Sequence, residues 1–379
     1  MTSFVSLSGN AYPDFMSYGY NSCLVCHYNG TGGGPLNDYG RSLFAVEIAA
    51  KPFFQNKLSD EQLSAMSGFL GEKKIPLDLK PYLKFRYLGY NSKFDKKPTQ
   101  VEKEILMQAS LGTTYILDQN DKYLLNFEVG YAPTPQAADK NKKEQTHKLI
   151  SREYYFRWNY TEESWLYFGF FDKPFGIKSP DHSSYSRSYI GFGQNDQAHG
   201  VMLHKVYNSS EWFVNTFVGN LLQSSDLRLI GLSSLYEYEV SNSYRVGGSV
   251  FYAKNDYVNQ LRLSHHQKYS PSKGHILLYE LGYFNDLSVV SSSTLHGIYS
   301  ALNLSTLISR GINFTTQFEL INDNLTNNNS IKTKSGIGLL YFPMQRIELR
   351  TSIINNRIFT SSTANEDTFT WLGQIHLSL

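Results

Sequence analysis

From about residue 79 to the C-terminus, apolar and polar side chains alternate with period two. The pattern is plainest in Ile312, Phe314, Thr316, Phe318 and Leu320 against Asn313, Thr315, Gln317 and Glu319. It recurs in Leu125, Phe127, Val129 and Tyr131 against Asn126, Glu128 and Gly130, and in Ile150, Tyr154, Phe156, Trp158 and Tyr160 against Ser151, Glu153, Arg157 and Asn159. Successive side chains of a strand point to opposite faces, so each segment predicts a strand with one apolar and one polar face. Many segments run about ten to thirteen residues, longer than the usual globular strand and suited to a tilted strand crossing a bilayer.

Segments of this kind fall at 82–92, 104–117, 123–132, 147–160, 163–172, 198–208, 211–222, 226–239, 243–254, 257–268, 275–286, 294–308, 311–322, 331–343, 346–357 and 367–379. The count is about sixteen, an even number as single-chain bacterial outer-membrane barrels have. The connections agree with this. The links that follow even-numbered segments are short, whereas the long ones, at 92–103, 133–146, 173–197 and 359–367, follow odd-numbered segments. Short turns on one side and long loops on the other are the outer-membrane arrangement, and they put both termini on the short-turn, periplasmic side. A soluble β-sandwich would need neither strands of this length nor so many aromatics on one strand face. The expected fold is therefore mainly β: a transmembrane antiparallel β-barrel over residues 81–379, with a small helical domain ahead of it.

That domain, residues 12–80, carries helical spacing. Asp38 to Ala50 places Leu43, Val46 and Ala50 on one face, with Pro52 as a stop. Ser59-Asp60-Glu61-Gln62 reads as a capping box, with Leu63, Met66 and Leu70 as the apolar face of a second helix ending near Gly71. A periplasmic position for this domain calls for export. Residues 1–11 are expected to be the remnant of a signal segment, cut after Ala11, although they lack a basic start and a full apolar stretch.

Composition narrows the classes. Of 379 residues, 18% are charged and 15% aromatic, with 28 Tyr and 24 Phe, and mean hydropathy is -0.36. No run approaches the roughly 18 apolar residues of a membrane-spanning helix. The net charge of +2, with acids and bases interspersed, leaves no electrostatic footprint for nucleic acid.

The candidate chemistry lies in Cys23-Leu24-Val25-Cys26-His27, followed by a turn with Gly32, Gly33, Gly34 and Pro35. The chain has 2 cysteines and both are in this pentapeptide. C-x-x-C-H is the attachment motif of a covalent c-type haem, in which the thiols add to the vinyl groups and the imidazole binds the iron. The alternatives are a redox or disulfide C-x-x-C beside an incidental histidine, or half of a zinc site. A zinc site wants two further Cys or His at regular spacing, and the other histidines are scattered singly. A thioredoxin-like motif belongs to a βαβ unit, and none follows.

Gly34-Pro35-Leu36 and Tyr39-Gly40-Arg41 resemble the segment that follows the haem histidine in cytochromes c, and 58–70 resembles that family's last helix. The resemblance implies one covalent haem c at Cys23, Cys26 and His27, with the Pro35 carbonyl accepting the hydrogen bond of His27 Nδ1. The family's loop with a methionine ligand is missing, so the sixth iron position falls to Met66, to Met16, or to neither. The barrel resembles porins, and Phe369, Trp371, Gly373, Ile375, Leu377 and Leu379 resemble a terminal outer-membrane targeting strand, with Leu379 in place of the usual phenylalanine. Together they resemble porin–cytochrome proteins. The implied function is electron transfer at the periplasmic face of the bacterial outer membrane, with a redox partner cytochrome. The alternatives are a passive porin for small solutes whose haem domain plugs or gates the channel, and a haem peroxidase or gas sensor. The bilayer and a homo-oligomer are the further expected partners; an enzyme is not expected.

Within the barrel, Arg86, Glu128, Glu153, Arg157, Arg262, Glu319, Glu348 and Arg350 are expected to line a lumen of mixed sign. The longest loop follows the fifth segment, where sixteen-stranded general porins carry an inward-folded loop. Its Asp181, His182 and Arg187 are candidates for a constriction, against the alternative of a solvated surface loop. His265 and His266 are neighbours on a strand and face opposite ways, so they cannot share a metal.

Overall fold

The computed structural model describes residues 13–20, 22–32, 34–51, 57–69, 78–95, 100–118, 120–133, 147–179, 181, 184–193, 196–326, 331–359 and 366–379. The leader segment, Gly33, Pro52, Leu70, Gly71 and His182 lie outside them. The strands are β1 (Leu79–Phe94), β2 (Gln100–Ile116), β3 (Tyr123–Pro133), β4 (His147–Ile150), β5 (Tyr154–Thr161), β6 (Ser164–Phe171), β7 (Ala198–Val206), β8 (Ser210–Phe217) and β9 (Ile230–Ser241). They continue with β10 (Tyr244–Lys254), β11 (Val258–Ser272), β12 (His275–Ser288), β13 (Thr294–Ser309), β14 (Ile312–Asn322), β15 (Ile331–Met344), β16 (Ile347–Ile358) and β17 (Glu366–Ser378).

All 17 segments form one antiparallel sheet, in which neighbours in the chain pair with each other except for β4 and β5. β4 and β5 both pair with β3 and are two lengths of one stave. The wall therefore has sixteen staves, closed by β17 on β1 from Lys84↔Ser378 to Phe94↔Thr368. Closure joins the first strand to the last, as a sheet that stands in lipid requires.

The faces are inverted relative to a soluble protein. Trp371 and Phe369 are each 51% exposed on the outside, with Ile337, Val240 and Ile353. Arg262, Glu280, Glu319 and Lys334 are buried within. A wall that faces acyl chains outside and a polar interior inside sorts its side chains in this way.

Two local departures have physical causes. Between β4 and β5 three residues, 151–153, face two of β3, since Gly130 pairs with Ile150 and Phe127 with Tyr154. The extra residue is a bulge that reverses the alternation. Consequently Ile150 does not share a face with Tyr154, and consecutive Arg152 and Glu153 are both buried inside. The second departure is that β8 ends at Phe217 instead of running on to 222. Gly219 turns the chain with a φ of +74°.

The expected helical domain does not stand apart from the wall. Its described residues form two short helices, α1 (Asp38–Leu43) and α2 (Asp60–Ala65), linked to single turns. α1 passes into a π-helical turn over Phe44–Ile48. α2 starts at the Ser59–Gln62 capping box but stops before Met66. The segment packs inside the barrel, entering from the short-turn end. The Gly274 N–H donates to the Ser17 carbonyl (2.9 Å) and the Ala50 N–H to that of Phe342 (2.9 Å). Arg310, in the β13–β14 turn, donates to the carbonyls of Ala49 (2.8 Å) and Ala45 (3.2 Å). In the β15–β16 turn Arg346 donates to that of Met66 (2.9 Å). Two apolar patches of inner wall receive this plug. Tyr28 packs with Leu124, Tyr155, Tyr167, Met202 and Leu235, and Cys26, Leu43 and Ile48 pack with Leu340 and Phe342.

From the other end the long loop between β6 and β7 folds inward. Its Phe175, Ile190 and Phe192 pack on Ala198, Phe217, Phe251 and Phe284. The Ile177 N–H donates to Glu280 (2.8 Å) and Lys334 reaches Asp181 (2.6 Å). The loop is therefore inserted and not a solvated surface excursion. Lys178 donates to the Gly32 carbonyl (2.7 Å), so loop and plug meet.

Candidate functional site

A tight turn begins the site. The Cys26 and His27 N–H groups donate to the Cys23 carbonyl at 3.2 and 2.8 Å, folding Cys23–Val25 into one 3-10 turn. Asn37 then locks this turn to α1. Its side-chain amide donates to the Val25 carbonyl (2.9 Å), its N–H to the Cys26 carbonyl (2.8 Å), and its Oδ1 caps the helix by accepting from the Gly40 N–H (2.8 Å). Gly40 sits so close beneath the turn that a Cβ there would lie 2.4 Å from the Cys26 carbonyl oxygen. Only a glycine tolerates this contact, which explains the Tyr39-Gly40-Arg41 sequence.

His27 pairs with Leu36 across an isolated bridge. Its Nδ1 lies 2.9 Å from the Gly34 carbonyl oxygen. A carbonyl can only accept, so the proton sits on Nδ1 and the lone pair on Nε2. The nearest acceptor is thus Gly34, one residue ahead of the expected Pro35, whose carbonyl also acts on the imidazole and accepts from the Tyr28 N–H at 3.2 Å. Nε2 is buried and has no hydrogen-bond partner among the described residues. Burial, aided by the charges of Lys84 and Lys178, pushes the imidazole pKa down to about 4, against the pull of the Gly34 carbonyl. His27 is therefore neutral at physiological pH, the state in which imidazole binds metal. Cys23 and Cys26 are free, and burial pushes both thiols up to about 12.

Cys23, Cys26 and His27 line one cavity of about 310 Å³, bounded by plug, wall and inserted loop. Its apolar side includes Leu36, Leu43, Phe44, Phe213 and Phe342, and its polar side carries Lys84, Arg86, Arg152, Lys178 and Arg350 with Glu128, Glu153 and Glu348. Apolar surface for a ligand's body beside polar groups that fix its orientation is what cofactor sites require, and here the polar side is strongly charged. The fit test for a haem rests on this: two free thiols, a neutral imidazole with an unpartnered nitrogen, apolar surface for a macrocycle and cations for its carboxylates. Among the described residues no group of three or more His, Cys, Asp or Glu is placed to hold a metal ion.

The wall fastens the motif directly. Ser22 donates to Glu211 (3.0 Å), Asn29 to Glu153 at the bulge (3.0 Å), and Arg157 to the Tyr28 carbonyl (3.0 Å). Gly30 lies against His204, where a Cβ would come within 2.3 Å of Nδ1.

The expected sixth-ligand residues separate. Met16 is buried, lines the cavity and packs on Ile177, Ile276 and Leu278. Met66 is 37% exposed at the end of α2, with its carbonyl on the β15–β16 turn, and does not line the cavity. Asp181 and Arg187 of the inserted loop line the cavity. His266 is buried on the inner face, bonded to Glu237 (2.8 Å), while His265 is on the outer face. Asn37, Asn29 and the bulge that brings Arg152 beside Glu153 are the features of the site that sequence patterning missed.

No family model matches the sequence, and no curated protein matches it. Solved structures do match in fold. An anion-selective porin from Comamonas acidovorans superposes with a TM-score of 0.59 at 10% identity, over 79% of this chain and 99% of that one. OprB of Pseudomonas putida gives 0.59 at 8% identity, over 88% and 100%. The outer-membrane channel DcaP of Acinetobacter baumannii gives 0.57 at 13% identity, over 79% and 97%. At these identities the likeness is one of fold.

Proposed function

We propose that this chain is a porin-type outer-membrane barrel whose channel is plugged from the periplasmic end by its own N-terminal segment, and that the plug holds one covalent c-type haem inside the lumen. The observation that carries the plugged-channel reading is the set of hydrogen bonds at the short-turn end, in which Arg310, Arg346 and Gly274 donate to plug carbonyls and the plug's Ala50 N–H donates to the Phe342 carbonyl. The fold shared with porins and channels supports the barrel as a former solute path. With plug and inserted loop in contact through Lys178 and Gly32, diffusion through the intact chain is strongly restricted.

Reconstitution in planar bilayers tests this. The intact chain is expected to conduct little. An Arg310→Ala/Arg346→Ala double variant loses charge-assisted bonds of about 1.5–3 kcal/mol each and is expected to flicker to an open, porin-like conductance. A high, steady conductance of the unmodified protein would overturn the reading.

A second reading is electron transfer at the haem, and the observation that favours it is the neutral, orphaned Nε2 of His27. A bound haem supplies one-electron redox chemistry. The chain's own residues hold it by the Cys23 and Cys26 sulfurs, present the His27 lone pair, exclude water through Phe44, Phe213 and Phe342, and set cations near its carboxylates. Placement within the lumen, not below it, shortens the path to the outer side. A periplasmic cytochrome docked at the short turns is the implied redox partner. Rapid-mixing reduction by such a cytochrome checks this, and failure of the haem to exchange electrons on any physiological timescale would remove it.

A further inference from the structure

Two imidazoles open onto the cavity in the same manner. His27 has Nδ1 tied to the Gly34 carbonyl and Nε2 buried without a partner among the described residues. His376, on β17, has Nδ1 3.4 Å from Glu348 Oε2, and its Nε2 is likewise buried and without a partner among the described residues. Arg350 Nη2 holds that carboxylate in place at 3.2 Å from Oε1. Both histidines line the cavity. An imidazole whose Nδ1 rests on a carboxylate or carbonyl, leaving Nε2 free, is oriented and made more basic as a metal ligand.

The other buried lumen histidines are built the other way round. His204 and His266 spend Nε2 on Glu211 and Glu237, and neither lines the cavity. Strand register places His376 near the motif. On β1 and β17, Lys84 pairs with Ser378 and Arg86 with His376. His376 is therefore the diagonal neighbour of Lys84, about 7–8 Å away on the same face, and Lys84 is one of the two lysines whose charge acts on His27. Met16 also lines the cavity, but its side chain packs with Ile177, Ile276 and Leu278.

We propose that His376 is the second axial ligand, so that the iron held at Cys23, Cys26 and His27 is bis-histidine. The assignment rests on the haem reading above, and it makes the barrel wall itself part of the redox centre.

The test uses the full chain made with haem-maturation machinery. Covalent haem is counted by pyridine haemochrome, and the oxidised protein is examined by electron paramagnetic resonance and near-infrared magnetic circular dichroism. The wild type is expected to carry one haem, low-spin with a bis-imidazole signature. His376→Ala is expected to keep the covalent haem and the heat-modifiable folded barrel, turn high-spin, and return to low-spin when imidazole is added. Glu348→Gln is expected to stay low-spin while its reduced form binds carbon monoxide about tenfold faster, through a loosened ligand. Should His376→Ala not fold, His376→Met replaces it and is expected to exchange the bis-imidazole signature for a methionine one. An unchanged bis-imidazole spectrum in the His376 variants, or a methionine signature in the wild type that disappears in Met16→Ala, overturns the assignment while leaving the haem in place. A wild type without covalent haem overturns the haem reading and this assignment together.

Discussion

The wall and the plug are built on opposite principles. In the wall, each strand side chain faces either lipid or lumen, backbone bonds are satisfied by the neighbouring strand, and order follows from a two-residue period. In the plug, helices are six residues long and no period repeats far enough to define a face. Its order is supplied by the wall, through Glu153, Arg157, Glu211, Arg310 and Arg346. Helices of this length are not stable alone. The plug is thus a ligand of its own barrel, and the two should respond to mutation independently.

The largest separation is expected from Cys23→Ser/Cys26→Ser. On the proposed haem reading it should abolish covalent haem altogether while the barrel keeps its heat-modifiable band and its urea midpoint. The reverse experiment is Trp371→Arg on the lipid face, expected to cost the wall about 2–4 kcal/mol in a folding titration with haem attachment unchanged per folded molecule. Next is Gly40→Ala. Its Cβ would press on the Cys26 carbonyl oxygen, at a cost of about 1–3 kcal/mol to plug docking. Trypsin should then cut within residues 13–69 of folded barrels, and no such cutting would mean that the turn has more room than the structure gives it.

The smallest effect concerns pH in the haem-free protein. His27 has a pKa near 4 when docked, against about 6.5 when released. The released plug therefore binds more protons between these values. Docking is strongest above about pH 6.5, weakens as pH falls, and levels off below about 4, with a total change on the order of 3 kcal/mol or less. Protease accessibility of the plug across this range checks it, and His27→Gln should flatten the curve.

The same contrast explains what could be read from the chain. Strand positions such as Ile312–Asn322 and Ile347–Ile358 were legible because alternation records two solvents. The bulge at 151–153 was not, since one extra residue in a period-two pattern looks like a polar substitution. Nor was the plug's position inside the barrel. A signal for it does exist: Trp165-Leu166-Tyr167-Phe168 and Leu339-Leu340-Tyr341-Phe342 are apolar at successive positions. A strand apolar on both faces is covered on both. Tyr167 and Phe342 are covered from inside by Tyr28 and by Cys26 and Leu43. In the site, Cys23, Cys26 and His27 stood out by type and spacing. Asn37 did not, because its amide reaches the Val25 carbonyl 12 residues back, nor did His376, whose proposed role rests on its contact with Glu348 of the neighbouring strand.

Photo-crosslinking from position 28 tests the central claim most directly. Tyr28 is buried among Leu124, Tyr167, Met202 and Leu235 of the inner wall. With p-benzoylphenylalanine in its place, irradiation of cells and peptide mapping should yield crosslinks to wall peptides, foremost the one containing Met202. Crosslinks confined to residues 12–80, with none to the wall, would mean that the segment folds outside the barrel and would contradict the account.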